Sequence, residues 1–400
     1  MNGRTTQRYA TIIPMKELAS PTLQLNPFPI LDDLRRTSPI RYDEDRACWD
    51  VFSYEDARNV LLNHRVFSSR RGMDVRGDSM LVMDQPKHTQ MRALVNKAFT
   101  PKSIEDLAPR IANIVDDLLD QVADGTEMNV VHDLAYPLPV IVIAELLGVP
   151  SEDRALFKKW SDILVKAPEN NTDEAFAQVV AERGIARTTL NDYFRDILKQ
   201  RRANPQDDLI SALLQAQIDG QKLTEQELLG FCLLLLVAGN ETTTNLIANA
   251  VRYLTEDMAV QERWRNTPTL TNTAIEEVLR YYPPIVAIGR IASEDTEIRG
   301  QRIAAGSQVV SWVAAANRDE AQFPDADRFV PDRTPNRHLG FGLGIHFCLG
   351  APLARLEAQI ALPKILERLG TLTFDEGTPL VPIQSTFVFG VKEYPIRFKR

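Results

Sequence analysis

The sequence has 400 residues, 44% of them hydrophobic and 25% charged, with a net charge of −8. Those proportions describe an ordinary globular protein and, with no block of basic residues, argue against a nucleic-acid binder. Cys48, Cys232 and Cys348 are odd in number and far apart, which argues against a disulfide framework. The N-terminus lacks the cationic-then-apolar pattern of a signal peptide. The longest clearly apolar run, Phe231 to Ala238, is well short of the ~20 residues that span a bilayer. A cytoplasmic protein is the expectation.

In chain order, residues 1–30 carry four prolines, Pro14, Pro21, Pro27 and Pro29, and read as an irregular N-terminal arm. Strands are predicted near Ile40–Tyr42 and Cys48–Phe52, then a helix at Tyr54–Leu62. Phe67–Leu81 has glycines, several arginines and no period, as a long functional loop would. From Pro86 to about Tyr282 the pattern is mostly helical, with apolar residues three and four apart over Leu107–Val122, Leu134–Leu147, Ala155–Leu164 and Phe176–Arg201. Asn170–Thr172 reads as a polar turn. Glu225 to Leu254 predicts an unusually long helix, apolar nearly all round in its first half and therefore central. After Pro283-Pro284 come short strands, Ala287–Ala292, Thr296–Ile298 and Gln308–Trp312. A helix over Ala351–Leu369 follows, then strands near Thr371–Phe374, Phe387–Phe389 and Pro395–Phe398. No repeat or linker interrupts the chain. The fold class is mainly α with a minor β region, one unit over 1–400; helices and strands do not alternate as a doubly wound sheet requires.

Four constellations carry chemistry. Phe341-Gly342-Leu343-Gly344-Ile345-His346-Phe347-Cys348-Leu349-Gly350 holds three glycines around one cysteine, directly before a helix. Glycines permit tight bending, and aimed N–H groups with a helix N-terminus favour a thiolate; a buried structural cysteine is the plainer reading. Ala238-Gly239-Asn240-Glu241-Thr242-Thr243-Thr244 puts a polar burst inside the long apolar helix. Either the helix ends at Gly239 and restarts, or it passes close over a flat ligand, with Gly239 making room and Glu241 and Thr242 facing the reacting atoms. A mid-helix threonine otherwise bonds back one turn, near Ala238; diverting that bond would open a bulge. Glu277 and Arg280, three apart, read alone as a solvated surface pair. His88, Arg92, Arg290 and His346 are scattered, yet together suit two carboxylates of one ligand.

These residues resemble the cytochrome P-450 superfamily. The loop fits F-x-x-G-x-H-x-C-x-G, Glu277–Arg280 fits E-x-x-R, Asp327-Arg328-Phe329 fits the segment whose arginine completes a buried triad, Ala238-Gly239-x-Glu241-Thr242 fits the oxygen-activating helix, and His88–Arg92 fits H-x-x-x-R. The match covers about residue 30 to 400 and is nearest to soluble, Bacillus-like members. The resemblance implies haem b, with Cys348 as its thiolate ligand, Phe341 covering the proximal side, and the glycine loop (Gly342, Gly350) and Ala238–Gly239 against the cofactor. His88, Arg92, Arg290 and His346 would bind the propionates. Glu277, Arg280 and Arg328 would form the structural triad, and Glu241 and Thr242 would relay protons to dioxygen. Substrate contacts would come from Leu81, Val82, Leu235, Ala238, Ile285, Val286, Ile288, Phe387 and Val388. That apolar set implies a lipophilic substrate, a fatty acid, terpenoid or steroid-like molecule. The implied activity is monooxygenation by a monomer, with electrons from a ferredoxin or flavodoxin and an NAD(P)H-dependent reductase. Lys87, Lys97, Lys102 and Arg337 are candidate partner contacts. A peroxide-driven peroxygenase and a non-catalytic haem sensor or recruitment protein are the rival readings.

Overall fold

Proline starts helices in the N-terminal stretch rather than breaking them. Pro21 and Pro29 fall in first-turn positions, where a missing N–H costs nothing, and the Ser20 side chain accepts from the Leu23 N–H. Short helices α1 (Pro21–Leu25) and α2 (Phe28–Thr37) result, so the expectation of an irregular arm over residues 1–30 fails for its second half. The computed structural model describes residues 14–70, 79–165 and 172–400. Residues 1–13 and most of the predicted 67–81 loop and 170–172 turn lie outside that set.

The first hairpin is β1 (Ile40–Asp43) and β2 (Cys48–Val51), followed by α3 (Tyr54–Leu62), capped by Ser53, and β3 (Phe67–Ser68). A 3₁₀ turn at Met80–Val82 leads into α4 (Lys87–Ala98), α5 (Pro101–Glu105) and α6 (Ala108–Asp120). Then come β4 (Glu127–Asn129), α7 (Pro137–Leu146), α8 (Arg154–Val165), α9 (Asp173–Ala203, capped by Thr172), α10 (Leu209–Gln215) and the long α11 (Glu225–Glu256). Helices α12 (Met258–Asn266) and α13 (Thr271–Tyr281) precede β5 (Ile288–Ala292), β6 (Thr296–Ile298), β7 (Gln301–Ile303), β8 (Gln308–Ser311) and α14 (Val313–Ala316). The chain closes with α15 (Ala351–Leu369), β9 (Thr371–Phe374) and β10 (Pro395–Lys399). Phe387–Phe389 forms no strand; it makes one bridge pair, Ile285 with Val388.

Two compact units divide these elements, each drawn from three stretches of chain, and the division falls inside α11 after Val251. The first takes 14–70, 252–349 and 376–393. Its five-stranded sheet runs β1-β2-β8-β5-β3, with only β2 and β8 parallel. One face of the apolar core joins α3 to Val309, Phe323 and Leu339, and another joins Met15, Phe28 and Leu31 to Val286, Trp312 and Phe389. The second takes 79–251, 350–375 and 394–400, with most of the long helices and the sheet β4-β10-β9.

Helix α11 is long and apolar enough to cross a membrane by composition, yet 56% of its most apolar window is buried, as in a core helix. In α15, which packs on α6, Glu357 is 1% exposed among Leu353, Ala358 and Ala361. Its Oε2 is sealed from solvent with no hydrogen-bond partner among the described residues. Burial alone pushes that carboxyl well above its ordinary value of 4.5.

Candidate active site

In the first unit a buried charge network carries the cysteine loop. Glu277 and Arg280 of α13 are both 0% exposed, not a surface pair. Arg280 donates to Glu277 in bidentate fashion, Nε to Oε2 at 2.8 Å and Nη2 to Oε1 at 2.7 Å. Its other N–H groups reach the carbonyls of Asn317 (2.9 Å), Ala326 (2.8 Å) and Arg328 (2.6 Å). Glu277 also accepts from the Val330 N–H (2.7 Å), Asn336 Nδ2 (3.0 Å) and Arg333 Nε (3.1 and 3.2 Å). An ion pair this deep is worth its desolvation only when every donor and acceptor is met.

The third member is therefore Arg333, and the assignment of Arg328 is corrected. Arg328 gives the network only its carbonyl, and its side chain is exposed. The reason is local register: the bond from Val330 N–H to Glu277 draws the chain against α13. Burial then alternates through Phe329, Pro331 and Arg333, with Asp332 and Thr334 outside. Phe329-x-Pro331-x-Arg333, an arginine in step with two apolar residues, was the signal in the sequence.

From this network the chain is bolted to the end of α13. Asn317 donates to the Leu279 carbonyl (3.3 Å) and accepts from the Leu339 N–H (2.7 Å). A Cβ at Gly340 would lie 2.8 Å from the Leu279 carbonyl, so only glycine fits there. Gly342 and Gly344 then adopt φ +67, the left-handed region glycine tolerates, and Gly344 sits against the Leu61 carbonyl of α3. The Gly342 N–H donates to Leu339 (2.8 Å) and the Cys348 N–H to Phe341 (2.9 Å), closing the loop. Phe341 lies between the rings of His338 (6.0 Å) and Phe347 (6.2 Å).

Cys348 is half-buried, whereas Cys48 and Cys232 are fully buried. Burial pushes both of those thiols up to about 12, where they are inert. Cys348 also precedes Gly350, the residue capping α15, by two positions, which places a sulfur before a helix N-terminus. In the same unit Arg290 of β5 is 5% exposed, with Nη1 donating to the Gly289 carbonyl (2.9 Å), and His346 ends the 3₁₀ turn of the loop. Ile288 reaches toward Gly342. The bridge between Ile285 and Val388, with the Val286 N–H donating to Phe387 (2.9 Å), joins two segments named as substrate walls. Val286 and Val388 line an apolar pocket together with Met15, Leu18 and Trp312.

The second unit holds the other residues. His88 (2% exposed) and Arg92 stand one turn apart on α4, near half-exposed Leu81 and Val82 in the preceding turn. Helix α11 is unbroken through Leu235, Ala238 and Gly239, which removes the reading of a helix that stops and restarts. Thr242 Oγ1 donates to the Ala238 carbonyl at 2.7 Å, so the expected bulge is absent. A Cβ at Gly239 would meet Ile143 Cδ1 of α7 at 2.5 Å; the missing side chain admits a neighbouring helix rather than a flat ligand. Asn245 Nδ2 donates to the Glu241 carbonyl (2.7 Å), pinning the residue's backbone. Burial pushes the Glu241 carboxyl above its ordinary value of 4.5, and the Arg183 guanidinium of α9 pulls it back. Burial lowers Arg183 likewise. The net shift of each follows its burial, so desolvation outweighs their attraction, while Arg183 remains a cation. The lysines named as partner contacts are engaged: Lys87 with Glu227 (3.3 Å), Lys97 with the Gln217 carbonyl (2.7 Å) and Lys102 with Asp106 (2.9 Å).

The donor set fits an iron porphyrin. A half-buried thiol on a glycine-bent loop, preceding a helix N-terminus, suits a soft metal held as thiolate. Buried Arg290 and the imidazole of His346 suit the porphyrin's carboxylates.

Comparison with known proteins agrees. The family model "Cytochrome P450" matches residues 43–400. Cytochrome P450 109 of Bacillus spizizenii is 55% identical over 395 residues, covering 98% of this chain and 96% of that one. Mycinamicin IV hydroxylase/epoxidase of Micromonospora griseorubida is 43% identical, covering 84% and 86%. Among solved structures, substrate-free CYP109E1 from Bacillus megaterium superposes with a TM-score of 0.90 at 46% identity, covering 94% of this chain and 99% of that one. Its testosterone complex gives 0.87, covering 94% and 100%. The chain belongs to the cytochrome P450 family of haem-thiolate monooxygenases, with haem as its cofactor.

Proposed function

We propose that this protein hydroxylates a lipophilic small molecule, steroid-like, terpenoid or fatty-acid in character, through a haem held by Cys348. The observation that carries the assignment is the half-buried Cys348 on its left-handed glycine loop, anchored to the Glu277–Arg280–Arg333 network. When bound, the thiolate haem supplies dioxygen binding and O–O cleavage. His88, Arg92, Arg290 and His346 hold its carboxylates, and Phe341 covers the sulfur side. Glu241 retains its proton further toward neutral pH than a free glutamate does, so it can donate as a general acid. The Thr242 hydroxyl, oriented by the Ala238 carbonyl, is the second member of that proton path. Leu81, Val82, Leu235, Ala238, Ile285, Ile288 and Phe387, with Val286 and Val388, supply an apolar substrate surface. The lipophilic class is supported by relatives: CYP109E1 was crystallised with testosterone and with corticosterone, and another neighbour with a hexadecenoic acid-ligated acyl carrier protein.

A reduced, carbon-monoxide-bound spectrum tests the ligand: the red-shifted Soret band of thiolate ligation is expected in the native protein and lost in Cys348→Ser. Its absence from the native protein refutes the assignment. Turnover from NAD(P)H should need both a reductase and a ferredoxin or flavodoxin; equal turnover on hydrogen peroxide alone would establish the peroxygenase reading instead. Low- to high-spin shifts across a lipophilic library then identify the substrate.

A further inference from the structure

Three tyrosines outside the site meet at the end of α13. The Tyr281 and Tyr282 ring centroids are 5.0 Å apart, and Tyr253 of α11 lies 5.5 Å from the first and 6.0 Å from the second. Each phenol donates to an oxygen: Tyr282 to Glu256 Oε2 at 2.7 Å, Tyr253 to Asp257 Oδ2 at 3.3 Å, and Tyr281 to the Asp327 carbonyl at 3.2 Å. The Glu256 carboxylate is shared, its Oε1 accepting from Arg252 at 2.9 Å. Packing alone explains three rings in contact, but it requires no carboxylate at two of the three phenols. Phenols whose O–H bonds point at a base are the ones that give up an electron and a proton together.

The same cluster is wired to the cysteine loop. The Cys348 N–H bonds to Phe341, Leu339 N–H bonds to Asn317, and Asn317 bonds to the carbonyl of Leu279, two residues before Tyr281. The Cys348 loop and the tyrosines belong to one unit. All three rings are half-buried, and Glu256 reaches solvent.

We propose that Tyr281, Tyr282 and Tyr253 drain oxidising equivalents from the haem when peroxide oxidises it and no substrate is present. One electron passes to the oxidised haem centre, which is reduced by one equivalent. The phenolic O–H bond of Tyr282 or Tyr253 breaks, and its proton goes to Glu256 or Asp257. A thiol reductant later returns the electron, and the carboxylate returns the proton. Tyr281, bonded to a carbonyl that cannot take a proton, relays the electron without holding the radical.

The inference rests on Cys348 holding the haem, which the carbon monoxide spectrum tests separately. Substrate-free ferric holoprotein is mixed with peracetic acid and freeze-quenched for electron paramagnetic resonance, with spin-trap adducts mapped by mass spectrometry. A tyrosyl signal is expected, with adducts on Tyr282 and Tyr253. The combined Tyr253→Phe, Tyr281→Phe, Tyr282→Phe variant should lose that signal and bleach its haem faster. Tyr193→Phe, which removes another carboxylate-bonded phenol (to Asp153, 2.9 Å) in the other unit, should keep it. No tyrosyl signal, adducts on Tyr193 or elsewhere, or a triple variant with the full signal would overturn the proposal. If the triple variant does not retain haem, the adduct map of the native protein decides.

Discussion

Glu357→Gln removes one ionisation and almost nothing else, which makes it a clean test of the electrostatics inside α15. The folded protein holds the Glu357 proton at pH values where the unfolded chain, near the ordinary 4.5, has released it. Folded protein therefore binds more protons, and stability falls as pH rises above 4.5 until the buried acid itself ionises. The slope is ~1.4 kcal/mol per pH unit. Between about pH 5 and pH 7 the native protein thus loses at most ~2.7 kcal/mol through this one group, and glutamine, which cannot ionise, loses none of it. At roughly 2.1 cal/mol/K of unfolding entropy per residue, 400 residues give ~0.84 kcal/mol/K. The melting temperature of Glu357→Gln relative to native should then climb by up to ~3 °C across that pH range. Thermal melts of both holoproteins by circular dichroism, at matched scan rates, measure it; other carboxylates cancel in the difference. A difference in melting temperature that does not change with pH would refute the reasoning.

Two further outcomes follow from the site. Arg333→Ala leaves the buried Glu277 carboxylate short of a charge, at a cost of roughly 3–5 kcal/mol. It should abolish haem incorporation, measured as haem per polypeptide, while Arg328→Ala leaves incorporation intact; equal losses would return the triad to Arg328. Arg183→Ala removes the cation that lowers Glu241, so Glu241 keeps its proton to higher pH. The alkaline limb of the rate–pH profile should move upward, and an unmoved limb would take Glu241 out of the proton path.

Local pattern and chemistry were readable where neighbours in sequence decide the outcome. The bounds of α3, α15, β6 and β9 match the predicted ones because capping, period and turn signals all sit within a few residues. The cysteine loop was readable for the same reason, since Gly342 and Gly344 do locally what glycines are for. What escaped was set by distant chain. Arg333 replaces Arg328 because a backbone bond from Val330 to α13 sets the register. Gly239 serves Ile143, a residue of another helix. Glu277 and Arg280 look like surface decoration until Asn317, Ala326 and Arg328 bring carbonyls to them. Phe387–Phe389 has strand composition but no strand to pair with beyond one residue of Ile285.

The sheet of the second unit has a consequence for biosynthesis. Its middle strand is Pro395–Lys399, flanked by Glu127–Asn129 on one side and Thr371–Phe374 on the other. The outer strands have nothing to pair with until residues near 400 leave the ribosome. The first unit, completed only by 376–393, waits almost as long. Neither unit can close before its last stretch is made, so folding is dominated by long-range closure, which is slow. A nascent chain stalled even a few residues before Pro395 presents two open strand edges to the proteostasis machinery. Haem capture by the cysteine loop is thereby tied to the synthesis of residues 376–393, which complete its unit.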